Sequence, residues 1–363
     1  MYSFDMTDEQ RMLTDAVNRY ATRTLRQVYR QAEAAGEVPD AAISAGWELG
    51  LLPASIPEAL GGFGDYARLT GALYAEELGY GDMAAALHLL SPNLVAIPLL
   101  LGGTEAQQQQ YLPLFCDAAF PKATAAFLEP ALFFDPENLQ TTARRAGDAY
   151  ILDGRKTMVI NAAEAEWLLV YANEEGQTQA FLLPAPTPGL HIGKRDHWMG
   201  LHALKTYGVE LAGVHVPAQN RIGGEQGIAV QQVLNSSRIA LSALAIGLAR
   251  GAYDYARDYA KERMAFGEPI AHRQSIAFML ADMAIEIDAA RLLTWEAAWK
   301  LDAGKEATHD AYLAAQYAAD MALKVTDGAV QVLGGHGYIR EHPVELWLRN
   351  GRGIAAMLGA VIV

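Results

Sequence analysis

The stretch "SRIALSALAIGLARGAYDYARDYAKERMAFG", Ser237–Gly267, decides the fold. Its apolar residues recur with helical periodicity, and Gly267 and Pro269 supply a stop, which predicts one long helix ending at about Gly267. Two more long helical runs follow: "QSIAFMLADMAIEIDAARLLTWEAAWKLDAG" (Gln274–Gly304) and "HDAYLAAQYAADMALKVTDGAVQVLGG" (His309–Gly335). Helices of this length joined by short turns predict an antiparallel bundle over residues 230–363.

Upstream, from about residue 122 to 224, the texture changes. "AYILDGRKTMVI" (Ala149–Ile160), "EWLLVYANEEGQTQAFLLP" (Glu166–Pro184) and "GVELAGVHVP" (Gly208–Pro217) are β-branched or aromatic runs. Asp-Gly and Glu-Glu-Gly turns separate them, so strands and hairpins are expected. The first third is again helical, through "AAISAGWELG" (Ala41–Gly50), "YARLTGALYAEELG" (Tyr66–Gly79) and "TEAQQQQYLPLF" (Thr104–Phe115). Thr7 and Gln10 stand at capping-box spacing, and "PEALGGFGD" (Pro57–Asp65) reads as a loop. The expected organisation is α+β and mostly α: a helical domain over 1–121, a β domain over 122–229 and a helical domain over 230–363.

Composition bounds the function. With 52% hydrophobic and 19% charged residues the chain is globular, and 363 residues allow two or three packing units. A formal net charge of −14 and the lack of any basic run exclude a phosphate-rich nucleic-acid partner. Cys116 is the only cysteine, which excludes an intrachain disulfide and fits a reducing compartment. No segment approaches the length of a membrane span: Pro98 interrupts "LVAIPLLL" (Leu94–Leu101), and Arg238 and Arg250 bound "IALSALAIGLA" (Ile239–Ala249). Both read as buried helix. The acidic N-terminus does not resemble a signal peptide, so a cytoplasmic location is expected.

No G-x-G-x-x-G follows a strand, and there is no P-loop, H-E-x-x-H or G-x-S-x-G. The nine histidines lack metal-ligand spacing, and no metal is expected. Asp282 and Glu286, one helical turn apart, read as a solvated face.

Seven motifs then fall in order: "PEALGGFG", "GTEAQQQQYLP", "LEP", "DGRK", "VPAQNRIGGEQG", the R-x-x-F-G-x-P-I of Arg263–Ile270 and the Q-x-x-G-G-x-G-Y of Gln331–Tyr338. In this the chain resembles an acyl-CoA dehydrogenase over nearly its whole length. The resemblance implies an N-terminal helical domain, a middle β-barrel and a C-terminal four-helix bundle. It also implies FAD bound across a subunit interface, an acyl-CoA substrate and an electron-transferring flavoprotein as acceptor. Family members take the α-hydrogen of the thioester as a proton and the β-hydrogen as a hydride to the flavin. Because that α-proton is weakly acidic, a carboxylate poised near working pH must meet it.

That carboxylate is missing. Its usual position, before a Gly-Thr pair near the C-terminus, is Leu358 here, and "AMLGAVIV" (Ala356–Val363) holds no acid, base or nucleophile. The minority position, just before an Arg on the first bundle helix, is Ser237, before Arg238. The flavin-ring side is altered too: Leu128 and Ile160 replace Thr, Met158 replaces Trp, and Phe133 and Phe134 replace Gly and Ser. Two phenylalanines there would fill space left for cofactor and CoA. The adenine side matches: Arg263, Phe266 and Gln274 correspond to the arm that reaches a neighbouring subunit's FAD, and Gln331, Gly334 and Gly335 to the loop beside it.

The resemblance therefore implies a non-catalytic subunit of a heteromeric acyl-CoA dehydrogenase, paired with a homologous catalytic subunit. Such pairs act on CoA esters of steroid side chains or ring fragments. Two other readings stay open. One is a self-sufficient enzyme with a displaced base at Glu129 or Glu77, and the other is a scaffold that binds neither FAD nor substrate.

Overall fold

The computed structural model describes residues 5–363. Helix α1 (Asp8–Tyr20) starts at the expected capping box: Thr7 Oγ1 accepts from the Gln10 N–H at 3.2 Å, and Gln10 Oε1 accepts from the Thr7 N–H at 3.0 Å. A π turn over Ala21–Leu25 carries the chain into α2 (Arg26–Ala35). Helices α3 (Asp40–Trp47), α4 (Arg68–Gly81), α5 (Met83–Leu89), α6 (Asn93–Gly102) and α7 (Glu105–Tyr111) complete the first part. The Pro57–Asp65 loop contains one 3₁₀ turn, Glu58–Leu60. Among the described residues no single helix is long and apolar enough to cross a membrane. In α6, Leu94–Leu99 are buried in the core, Pro98 included.

Seven strands make a curled sheet: β1 (Ala123–Ala126), β2 (Thr142–Ala146), β3 (Ala149–Ile160), β4 (Trp167–Glu174), β5 (Gln177–Pro184), β6 (Leu190–Arg195) and β7 (Thr206–Pro217). Their order is β1-β4-β2-β3-β7-β6, with β5 on the free side of β4. One turn expectation fails. Asp153-Gly154 is not a turn but lies inside the twelve-residue β3, where the register with β7 shifts between Leu152 and Gly154. Gly154 has φ +152°, and a Cβ there would stand 2.6 Å from Thr141 Cα, so the glycine serves a bulge and a close crossing. Glu175-Gly176 is a true two-residue turn, both at positive φ, joining β4 to β5.

The last part holds α8 (Val230–Glu262), α9 (Gln274–Asp302), α10 (Thr308–Leu333) and α11 (Val344–Arg352). Helix α8 ends at Glu262, short of the expected Gly267. The reason is a small hairpin, β8 (Met264–Ala265) with β9 (Glu268–Pro269), whose turn is Phe266-Gly267. The apolar core is continuous across α4, α8 and α10, so helices of the first and last parts share one interior. The interior of the sheet is a second, smaller core around Leu152, Val170, Phe181 and Val214. Glu286 is not simply solvated: its carboxylate accepts from Tyr317 Oη at 2.5 Å and from Lys324, which ties α9 to α10.

Candidate functional site

The two positions where a base was sought lie side by side. Ser237, on α8, is fully buried, and its Oγ accepts the N–H of Gly359 at 2.8 Å, one residue past Leu358. Gly359 has φ +80°, and a Cβ on it would stand 2.1 Å from a ring carbon of Phe127. Only glycine fits there. The residues after it run through the core. Val361, Ile362 and Val363 are buried, the Ile362 carbonyl accepts from Asn93 Nδ2 at 3.1 Å, and the Val363 carbonyl accepts from Tyr66 Oη at 2.7 Å. Leu358 is half-buried and packs against the apolar core.

The flavin-ring positions are apolar and packed. Leu128 and Ile160 are buried, and Met158, at φ +53°, lines a cleft of about 180 Å³ with Leu201, Leu204, Gly353 and Met357. That volume falls below the usual range of small-molecule sites. The expected filling by two phenylalanines is half right. Phe134 packs edge-on against Phe127 at 5.5 Å, whereas Phe133 is 88% exposed and fills nothing in this chain. Phe127 itself went unremarked in the sequence. It stands between Tyr171, 4.7 Å away ring to ring, and Gly359, and so walls off this region.

Neither displaced carboxylate is placed to take a proton. Glu129 is buried with Lys156 Nζ at 2.8 Å and accepts the N–H groups of Gln140 and Thr141 at 2.6 and 2.8 Å. Burial pushes its carboxyl up, but Lys156, then Thr141 and Gln140, outweigh this and hold it below the usual value. A base for this chemistry needs a shift the other way. Lys156 is pushed down to about 8, by burial first and against the pull of Glu129. Glu77 is chelated by Arg250 at 2.6 Å and also accepts from Asn18 Nδ2 at 2.6 Å.

The adenine-side residues lie at the opposite extreme, on the surface. Arg263 caps the end of α8, and Arg263, Gly334 and Gly335 line an open groove with Tyr259 and His336. A second groove, sharing the walls Ile270 and Val332, is lined by Phe266 and Arg273. Gln274 opens α9 beside Arg273, and Gln331 lies in the last turn of α10 beside Val332, so all six residues gather at one end of the bundle. Little in the interior of this chain explains Arg263, Phe266 or Gly335, although the Arg273 guanidinium lies over the Phe266 ring at 5.7 Å. The guanidinium of Arg263 has no partner among the described residues. Phe266 is 97% exposed yet held at φ +54°, a conformation costly for a bulky side chain. Gly334, at φ +58°, is needed by the backbone, but Gly335 is not at positive φ and a Cβ there would meet nothing within 4 Å. These exposed residues leave a groove open to a ligand from outside, while the apolar positions at 128, 158 and 160, two buried and one lining a narrow cleft, offer no hydrogen-bonding side chain to a flavin ring. Among the described residues no group of His, Cys, Asp and Glu could hold a metal ion.

A helical part, a curled sheet and a long-helix bundle, with an open groove at the bundle's end, make up the architecture. Family models for the acyl-CoA dehydrogenase N-terminal, middle and C-terminal domains match residues 7–119, 124–214 and 225–361. The chain belongs to the acyl-CoA dehydrogenase family, whose members are FAD-dependent oxidoreductases. It is 36% identical to cyclohex-1-ene-1-carbonyl-CoA dehydrogenase of Geobacter metallireducens over 355 residues, 96% of this chain and 93% of the relative. It is 35% identical to the caffeyl-CoA reductase-Etf complex subunit CarC of Acetobacterium woodii over 356 residues, 95% and 93% of the two chains. The solved butyryl-CoA dehydrogenase of Megasphaera elsdenii superposes with a TM-score of 0.90 at 32% identity, covering 99% of this chain and 96% of that one.

Proposed function

We propose that this chain is the non-catalytic subunit of a heteromeric acyl-CoA dehydrogenase. The observation that carries the proposal is the pairing of Ser237 with Gly359 beside Leu358: the base positions meet and hold no acid. The chain supplies Arg263, Phe266, Gln274, Gln331, Gly334 and Gly335 to the adenine end of FAD whose ring a homologous catalytic subunit holds. That partner contributes the carboxylate and binds the acyl-CoA, and an electron-transferring flavoprotein takes the electrons, as the Etf-complex relative suggests. No proton or hydride step is assigned to this chain's own residues. The division at 1–121, 122–229 and 230–363 is kept as the domain plan, and the cytoplasm as the location.

A row of uncovered apolar residues supports the partner. Phe278, Ile285 and Leu292 recur every seven residues on α9 and are 61%, 65% and 44% exposed. Seven residues are close to two helical turns, so the three form one stripe, of the kind that a second subunit covers.

The test is flavin content, read from the visible absorbance of the chain purified alone and then with a homologous subunit that carries the missing carboxylate. Little flavin alone, with flavin and bleaching by an acyl-CoA in the pair, is the expected result. Stoichiometric flavin and substrate reduction by the chain alone would overturn the proposal and return the search to a displaced base. No flavin in either preparation would favour the scaffold reading.

A further inference from the structure

A further cavity lies away from both of these regions. About 560 Å³ in volume, it lies in the seam between the first helical part and the sheet, and five separate segments line it. That volume is within the range of small-molecule sites. Val38, Ile43, Phe120 and Ala123 form an apolar floor, and the Phe120 ring meets His88 edge-on at 5.6 Å.

Four polar side chains converge on this floor with nothing to bind. Thr124 Oγ1 is buried and has no hydrogen-bond partner. The side chains of His88, Ser91 and Asn161 likewise have none among the described residues. Native proteins pair almost all buried polar groups, so the orphaned Thr124 hydroxyl, with the unpaired side chains of Ser91 and the half-buried His88 and Asn161 beside it, suits an occupant that can donate and accept. Burial, then the nearby Lys205, pushes the His88 imidazole down to about 4, so it is neutral at physiological pH.

The rim does not recruit charge. Lys205 already bridges Glu37 and Glu164 at 3.2 and 3.3 Å, and Lys122 lies 3.9 Å from Glu166. An anion would have to displace these carboxylates and meet Asp40 as well. A cation would meet Lys205 and Lys122, and of the lining carboxylates Glu37 and Glu164 are already paired with Lys205.

We propose that this seam is a binding site for a small uncharged molecule with an apolar ring and one hydroxyl or amide group. The ring lies on Phe120 and Ile43, and the polar group reaches Ser91, Thr124 and His88. Because the cavity joins two parts of the chain, its occupant also holds them together. The proposal does not depend on the assignment of FAD contacts.

The experiment uses the full chain with p-cresol as probe, and 4-methylbenzoate and 4-methylbenzylammonium as charged counterparts of the same shape. Saturation-transfer NMR reads binding, and the melting temperature reads the joining effect. The expected result is that p-cresol binds and raises the melting temperature, with both charged probes at least about tenfold weaker. Ser44→Trp, on the exposed face of α3 at the mouth, should weaken p-cresol at least about tenfold, and Ser91→Ala by roughly three- to tenfold. Failure of all three probes to bind, equal binding of all three, or tighter binding of a charged probe would overturn the proposal. So would unchanged binding in a folded Ser44→Trp variant.

Discussion

The inner region around Ser237 and Leu358 and the outer arm beside the bundle are built in opposite ways. Around Ser237, Gly359 and Phe127, neighbours explain the arrangement: Ser237 accepts the Gly359 N–H, glycine is present because a ring occupies the space of its missing Cβ, and among the described residues the Tyr171 hydroxyl beside Phe127 is the one buried group there without a partner. Around Arg263, Phe266 and Gly335, little is explained from within. A cation is unpaired, a phenylalanine is strained in solvent and a glycine has open space around it. Residues that satisfy their own chain report stability, and residues that do not report something outside it.

Mutations should therefore act on stability in one region and on assembly in the other. The largest effect is expected for Lys156→Met, which strands a buried Glu129 carboxylate. Unfolding free energy should fall by about 3–5 kcal/mol in denaturant titrations. The pH dependence should also reverse. In the wild type the Glu129 pKa is lowered on folding, so its stabilisation is present above the ordinary value and is lost as pH falls through the lowered one. Without Lys156, burial, the largest single influence on Glu129, is opposed only by the Thr141 and Gln140 hydrogen bonds, and where burial prevails the variant gains stability on acidification.

Ser237→Ala should come next, leaving the buried Gly359 N–H without an acceptor, at a loss of about 1–3 kcal/mol by the same measurement. Phe266→Gly should move the other way. Relieving a left-handed phenylalanine should stabilise the isolated chain by roughly 1 kcal/mol while reducing flavin retained by the assembled pair. A loss of stability instead would show that Phe266 packs against its own chain after all. Smallest is Gly335→Ala, which should leave the melting curve within about 0.5 kcal/mol of wild type. If it also leaves flavin retention untouched, the contrast between the regions fails at its outer end.

Much of the architecture was legible in the residues. The long helix read from Ser237 onward, the capping box at Thr7 and the turn at Glu175-Gly176 are local signals; the cap and the turn appear where they were read, and the helix appears with an earlier end at Glu262. The errors were local too. Asp153-Gly154 carries a turn signature but serves a bulge, because Thr141 on a neighbouring segment demands a bare backbone. Gly267 ends no helix, because β8 and β9 pair first. What could not be read is proximity. Ser237 and Gly359 are 122 residues apart and Asn93 and Ile362 are 269 apart, so composition could show that the tail lacks an acid but not that it lines the core. Phe127 carried no motif, and its role depends on Gly359 from the far end of the chain.

The ion pairs that join the two helical parts also bear on how the chain reaches its native state. Arg250 and Arg291, on α8 and α9, grip Glu76 and Glu77 on α4 across 173 to 215 residues, and Arg30 on α2 meets Glu345 on α11 across 315. Contacts that close such long loops form late and slow the search for the native fold. Helix α4 cannot complete its packing until α8 and α9 exist. The first and last segments that match family models are thus tied into one folding event, and residues 5–121 alone should remain collapsed, exchange-labile and without a sharp melting transition.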